Sequence, residues 1–462
     1  MMNKVPVFLL VLGLSLGVLS GSAGAAEDAL RPASVVLGEI SQLLAEFNYD
    51  AAIALFDTID PADAGTSHIR LLKASVLNSA GKGAEARSIA EAVSREEPDN
   101  LEALFVLSAI EGAGGRVREQ RALLERIVKA DPKNVEALTD LGTLFMEANS
   151  LRSAAQYFDQ ALALEPEYLE AMLGRARVHR LNKEPKKAET LYNKAISLYP
   201  GNPSVWHDRA RLYRGQGYPN LALEDLEKAK ALAPEDYWIA IDRGNALLDM
   251  GKKEPALEEY QRAISIDPAE FLAYAYTSGI KDDLGDIDGA GKDYEILAKL
   301  KPDYPYAFEG LGFHKMKDRQ WAEARNAFME TYRQLPNDWC YALLAAVNWM
   351  KADNVTGPRQ FLNQAMAKVK RDTIEYYMVR LYYDLSGRVY AGENDMLQRV
   401  DKEKNIVTKA RMIFYLGHYF DIRGNQTLAD KYFTQFREMD CQTLPEWRFN
   451  QWTLEERGIA AF

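Results

Sequence analysis

Five histidines, His68, His179, His207, His314 and His418, are the side chains best suited to proton transfer or metal binding near neutral pH. Their spacing supports neither role. No two lie at i,i+4 and none has a cysteine at a metal-ligand distance in sequence, so a helical zinc site is not written here. Asp282–Asp283 and Glu258–Glu259 are adjacent carboxylates, but neighbouring residues on a helix diverge, and solvated faces are expected rather than catalytic pairs. No glycine-rich phosphate loop follows a strand, and no serine sits in a nucleophile elbow. These residues predict a chain that is not an enzyme and has no cofactor and no metal.

What the sequence does carry is a period. Pro98, Pro132, Pro166, Pro200, Pro234, Pro268, Pro302 and Pro336 stand 34 apart. Ala52, Ala86, Ala154, Ala188, Ala222, Ala256, Ala290 and Ala324 keep the same step, broken once at Gln120. Four residues after these alanines come Phe56, Phe158, Tyr192, Leu226, Tyr260, Tyr294 and Phe328. Each series has a physical task. The proline breaks the chain after a second helix. Asn100, Asn134, Asn202, Asp236 and Asp338 follow two residues later as caps for the next helix. Gly81, Gly115, Gly217, Gly251, Gly285 and Gly424 supply the left-handed residue that ends a first helix. The alanines let helices approach, and the large residues fill the groove beside them.

The pattern resembles the tetratricopeptide repeat family, whose unit is a helix–turn–helix of about 34 residues. The family's motif falls on Leu138, Leu141, Gly142, Phe145, Ala154, Phe158, Ala161 and Pro166. In a later unit it falls on Trp206, Arg209, Ala210, Tyr213, Ala222, Leu226, Ala229 and Pro234. The resemblance spans roughly residues 33 to 443. It implies an all-α fold, a right-handed superhelical solenoid of antiparallel helix pairs, about twelve pairs plus a C-terminal capping helix. Regular first helices are expected to start at Ser67, Leu101, Val135, Leu169, Pro203, Tyr237, Phe271, Pro305 and Trp339.

The resemblance also places the first helix of each unit along an inner groove. The groove-facing positions give a cationic zone, Arg177, Arg180, Arg211 and Arg214 with His207 nearby. An apolar zone follows, with Trp238, Ile241, Leu248, Leu272, Tyr306, Phe313, Met316, Leu343, Val347 and Met350. Arginine suits carboxylates, while aromatic residues and methionine dominate contact energy at interfaces. A partner peptide with acidic and apolar portions is therefore expected to bind at Arg177, Arg180, Arg211, Arg214, Trp238, Tyr306, Phe313, Met316 and Met350. Arg175, Arg209 and Arg243 recur before the small residue and are expected to be structural, paired with neighbours such as Asp208 and Asp242.

Lys+Arg 56 against Asp+Glu 67 gives a net charge of −11, with no basic block, which argues against nucleic acid as a partner. Lys4, the apolar run Val7 to Leu19 and the small residues Ala23-Gly24-Ala25 predict a signal peptide over residues 1–25, cut after Ala25 and leaving no membrane span, with an uncleaved membrane anchor as the alternative. The remaining organisation expected is a linker at 26–32, tandem repeats over 33–372, an irregular helical pair over 373–409, a final repeat over 410–443, and a capping helix and tail over 444–462. That capping helix is expected to present Trp447, Trp452 and Leu454 to the last repeat. Cys340 and Cys441 lie too many repeats apart to bridge and are expected to be unpaired. The function expected is a non-enzymatic scaffold or adaptor of the periplasmic space, binding one or more proteins or peptides, with self-association possible. The alternative is a carrier of a hydrophobic small molecule or lipid for an envelope transport system.

Overall fold

The computed structural model describes residues 30–459 apart from 353, 391 and 440, so the predicted signal peptide lies outside the described residues. Most of the described residues are helical, and the chain divides into two compact units, residues 1–232 and 233–462.

The first unit opens irregularly with α1 (Ala33–Ala45), α2 (Tyr49–Leu55), one 3-10 turn (Phe56–Thr58) and the short α3 (Pro61–Ala64). Five regular pairs follow. They are α4 (Ser67–Ser79) with α5 (Gly83–Glu96), α6 (Leu101–Ala113) with α7 (Val117–Ala130), and α8 (Val135–Glu147) with α9 (Leu151–Leu164). Then come α10 (Leu169–Leu181) with α11 (Pro185–Leu198) and α12 (Pro203–Gly215) with α13 (Pro219–Leu232).

The second unit continues with α14 (Tyr237–Asp249) and α15 (Lys253–Ile266), α16 (Phe271–Leu284) and α17 (Ile287–Leu300), and α18 (Pro305–Lys317) and α19 (Trp321–Gln334). The pairs α20 (Trp339–Lys351) and α21 (Arg359–Lys368), α22 (Ile374–Ser386) and α23 (Glu393–Lys402), and α24 (Ile406–Ile422) and α25 (Gln426–Glu438) complete the stack. One more helix, α26 (Pro445–Glu456), ends the described chain. Every expected first-helix start coincides with an observed one, and α3 is an addition that the repeat pattern does not announce.

The caps explain the agreement. Asn100 accepts from the Ala103 amide, Asn134 from Ala137, Asn202 from Ser204, Asp236 from Ile239 and Asp338 from Cys340. Each satisfies one orphan donor of its helix, a contribution of about 1 kcal/mol. The turn within each pair takes a left-handed residue at a fixed step. Gly81, Gly115, Gly217, Gly251 and Gly285 occupy it with φ between 70° and 82°. Asn149, Lys183 and Arg319 hold the same conformation at the intervening steps, so the turn geometry persists without glycine where the helices on either side demand it.

The eight second-helix alanines are all fully buried. Phe158, Tyr192, Tyr260 and Phe328 are fully buried beside them, each side chain contributing about 2–3 kcal/mol of apolar burial. The ring of Phe158 fills the space that a Cβ on Gly142 would occupy, and a Cβ on Gly174 of the following repeat would meet the same ring. One aromatic side chain thus locks two repeats together. The pattern loosens at α21, where Pro358 stands in place of the repeat alanine and shortens the helix to 10 residues.

Candidate functional site

Successive first helices in the first unit align equivalent side chains. His68, Glu102, Glu136 and Glu170 occupy the second position of α4, α6, α8 and α10, and His68 Nδ1 lies 3.0 Å from Glu102 Oε1 across two repeats. One turn beyond Glu136 is Asp140. Partial burial, and then the nearby Glu136 and Glu170 carboxylates, push its carboxyl up to about 7. Burial also raises Glu136, with Glu165 and Glu170 adding to it. These acids are absent from the site expected from sequence, although Glu102, Glu136 and Glu170 keep the repeat step in plain view.

The arginines are largely engaged by the protein itself. Arg177 on α10 donates through Nε to Asp208 Oδ2 on α12 at 2.7 Å, and the Asp208 carboxylate is buried. Arg180 lies near the Tyr192 hydroxyl, with its Nε buried and without a hydrogen bond. Arg211 and Arg214 are part-buried on α12, and both are engaged as well. Arg177 and Arg180 lie on α10, and Arg211 and Arg214 on α12, two first helices that pack on each other. Arg175 and Arg209 are structural in a different way from that expected. Arg175 pairs with Asp159 at 2.7 Å and Arg209 with Asp225 at 2.6 Å, both on second helices. In the second unit Arg243 pairs with Glu259 at 3.1 Å. Asp208 serves Arg177 instead.

The apolar zone of the second unit needs correction. Trp238 and Tyr306 are 47% and 52% exposed, as a binding surface requires. Phe313, Met316 and Met350 are buried, and so are Ile241, Leu343 and Val347. They form core between layers and beneath a helix laid over them. Phe313 packs edge-on against Phe328 at 5.1 Å and beside Phe449 of α26 at 5.9 Å, while Met316 Sδ lies 3.3 Å from Asn348 Nδ2. One cause is that α26 packs on the first helices α18 and α24 as well as on α25 of the last repeat. Leu343, Val347 and Met350 of α20 are buried where α20 packs against α22 and α24, while the capping helix covers the part of the expected apolar wall around Phe313.

The same helix explains a second correction. Asp282 was expected on a solvated face but is buried, accepting from Tyr294 Oη at 3.2 Å, lying 2.9 Å from His314 Nε2 and pairing with Arg448 Nη1 of α26 at 2.8 Å. Glu259 is buried too, held by Arg243 and Arg262. Cys340 and Cys441 are both unpaired and buried. Among the described residues no group of three or more His, Cys, Asp or Glu side chains could hold a metal ion, and no helix is long and apolar enough to cross a membrane.

Family comparison meets this geometry at the repeats. Three models, each described as tetratricopeptide repeat, match residues 71–135 and 139–203, residues 191–231, and residues 240–270. The chain is a tetratricopeptide repeat protein. This repeat is generally a non-enzymatic fold for protein–protein interaction. No curated protein matches the chain. Among solved structures, a tetratricopeptide repeat protein from Parabacteroides merdae is 18% identical, with 53% of this chain and 97% of that one covered and a TM-score of 0.44. A thermophilic tetratricopeptide repeat protein of Thermus thermophilus is 24% identical, with 40% and 100% covered and a TM-score of 0.36. YrrB, described as a tetratricopeptide repeat protein with an unusual peptide-binding site, is 20% identical, with 40% and 95% covered and a TM-score of 0.31.

The two units of this tetratricopeptide repeat protein thus offer different faces. The first presents part-exposed carboxylates and internally paired arginines. The second presents Trp238 and Tyr306 beside a wall partly occupied by α26.

Proposed function

We propose that this tetratricopeptide repeat protein is a non-enzymatic adaptor working outside the cytoplasm, which holds partner proteins or peptides against the first-helix face of residues 67–214. One observation carries the reading. Helix packing in the first unit runs between elements one or two apart in the chain, so Glu136, Glu170 and Ser204 remain exposed along successive first helices. A repeated, uncovered polar face suits an extended ligand that crosses several repeats. The carboxylates Glu102, Glu136, Asp140 and Glu170 favour basic side chains. Residues 1–25 supply the address, by the apolar run and small-residue site described above.

A photo-crosslinking residue placed at Glu136, Glu170 or Ser204 in the native host tests this. All three should capture the same partner, while Thr190 on the exposed face of α11 should not. Equal capture from Thr190, or none from the three, sinks the proposal. Mass spectrometry of the chain isolated from its host should find Ala26 at the N-terminus; a chain retaining residues 1–25 removes the export part. The alternative of a carrier for a hydrophobic small molecule has a reduced lining to draw on, because Ile241, Phe313, Met316, Leu343, Val347 and Met350 of the apolar stripe are buried.

A further inference from the structure

The seat of α26 is well packed in its apolar part and only partly satisfied in its polar part, where Tyr415 Oη donates to Glu446 Oε1 at 3.4 Å and Asn450 Nδ2 to Phe433 O at 3.0 Å. Phe449 stacks within 5.8 Å of His418 and 5.9 Å of Phe313, and Trp452 meets His314 edge-on at 5.4 Å. Arg448 reaches Asp282 at 2.8 Å and Asp283 at 2.7 Å. Against this, the buried Glu446 carboxylate lies 3.5 Å from Arg411 Nε, which makes no hydrogen bond. Glu446 Oε2, Asn450 Oδ1 and both ring nitrogens of His418 are buried without partners. A buried polar atom left without a partner has lost its hydration and gained nothing in return. A helix seated this way is held by its aromatic residues and its arginine latch, while several buried polar atoms at the contact gain nothing from it.

Beyond its edge the wall continues. Trp238 and Tyr306 occupy the second positions of α14 and α18, with Leu272 of α16 between them in sequence, and both aromatic rings are about half exposed. A helix longer than the 12 residues of α26 could use both the covered wall and this open strip.

We propose that the first-helix wall of the second unit is a helix-binding groove whose resident, α26, exchanges for an amphipathic helix of a partner protein. The partner helix carries an acidic residue, arginine two positions later, and aromatic residues three and six positions after the acid, the pattern of Glu446, Arg448, Phe449 and Trp452. Charge decides the polarity, since Asp282 and Asp283 receive the arginine and Arg411 receives the acid. The partner need only offset local release of α26, not unfolding of the unit. This rests on the adaptor reading, yet it concerns a different wall.

The test uses the full chain and a fluorescent synthetic peptide spanning residues 444–459. Apparent affinity is the intrinsic affinity scaled by the fraction of chains with the groove open. Arg448→Glu in the chain weakens the latch on the resident but leaves the wall intact, so it should bind the wild-type peptide about ten-fold tighter than the wild-type chain does. A peptide carrying Arg448→Glu should lose that gain. In hydrogen exchange of the wild-type chain, amides of 445–456 should open faster than those of α24. Glu456→Arg, which breaks the exposed pair with Arg319 at the far end, provides the same read-out should Arg448→Glu disturb the fold. Equal peptide binding by wild type and variants, no binding by any, or exchange of α26 only together with α24 overturns the proposal. Failed partner capture at Glu136, Glu170 and Ser204 with peptide exchange intact would remove the adaptor reading and leave this groove standing.

Discussion

The Arg448 guanidinium lies 2.8 Å from the Asp282 carboxylate, tying the last helix of the chain to a helix of the second repeat in its unit. Asp282 in turn lies 2.9 Å from the buried His314, so an ion pair at the edge of α26 continues into the core. Most neighbours in a repeat stack are close in sequence. This pair is not.

His418 is the acid-sensitive point of that arrangement. Burial, and then Lys351, hold its imidazole well below the usual range, with Asp421 opposing and Arg457 adding to the effect. A depressed base binds fewer protons in the folded than in the unfolded state, so stability falls as pH drops below about 6.5. Replacing His418 with Phe, among Phe414, Phe433 and Phe449, should therefore flatten the loss of stability between pH 6.5 and pH 4.5 in urea titrations. An unchanged slope would show that the imidazole is not a source of the acid sensitivity.

Asp140 works in the opposite direction. Its carboxyl, raised to about 7, is protonated in the folded state where the unfolded chain has already ionised. Stability conferred below about pH 4 is therefore lost as pH rises toward 7. Asp140→Asn should stabilise the first unit by ~1–3 kcal/mol at pH 8 and have little effect at pH 4. Denaturation midpoints at the two pH values read this directly, and equal shifts at both would refute it.

Arg177 is a structural cation before it is a ligand site. Arg177→Ala leaves the buried Asp208 carboxylate without its partner, at a cost of about 2–3 kcal/mol given the partial exposure of the arginine. Adding Asp208→Asn should recover more than half of that. A double variant no more stable than the single would mean that Asp208 draws its compensation elsewhere.

Phe158 closes two repeats at once. Phe158→Ala should cost about 3–5 kcal/mol. Gly174→Ala should destabilise as well, because its methyl meets the same ring, whereas most glycine-to-alanine changes in a helix interior stabilise by up to about 1 kcal/mol. A stabilised Gly174→Ala chain, measured by urea denaturation, would show that the ring moves aside freely.

The repeat was legible because its determinants are local. Capping side chains, chain-breaking prolines and small residues fix each hairpin from within some 34 residues, and the nine regular first-helix starts follow from them. The binding faces were legible only in part. Helical position places Trp238 and Tyr306 on the first-helix face, and they are exposed there. The same argument applies to Phe313, Met316 and Met350, yet these are buried: Phe449 of α26 arrives beside Phe313, Met316 packs against Asn348 of the next repeat, and Met350 lies on α20, which packs against α22 and α24. Likewise Arg177 reads as an available cation until Asp208 of the next repeat is seen to claim it. Periodicity reports which side of a helix a residue is on, and is silent about what else arrives there.

The docking of α26 also limits how this stack can change length. In an open array a unit can be gained or lost with only its two flanking junctions to mend. Between α16 and α26 such an event would shift Asp282 by a whole repeat from Arg448 and carry Phe313 away from Phe449. The number of repeats between α16 and α26 is therefore counted by α26 itself.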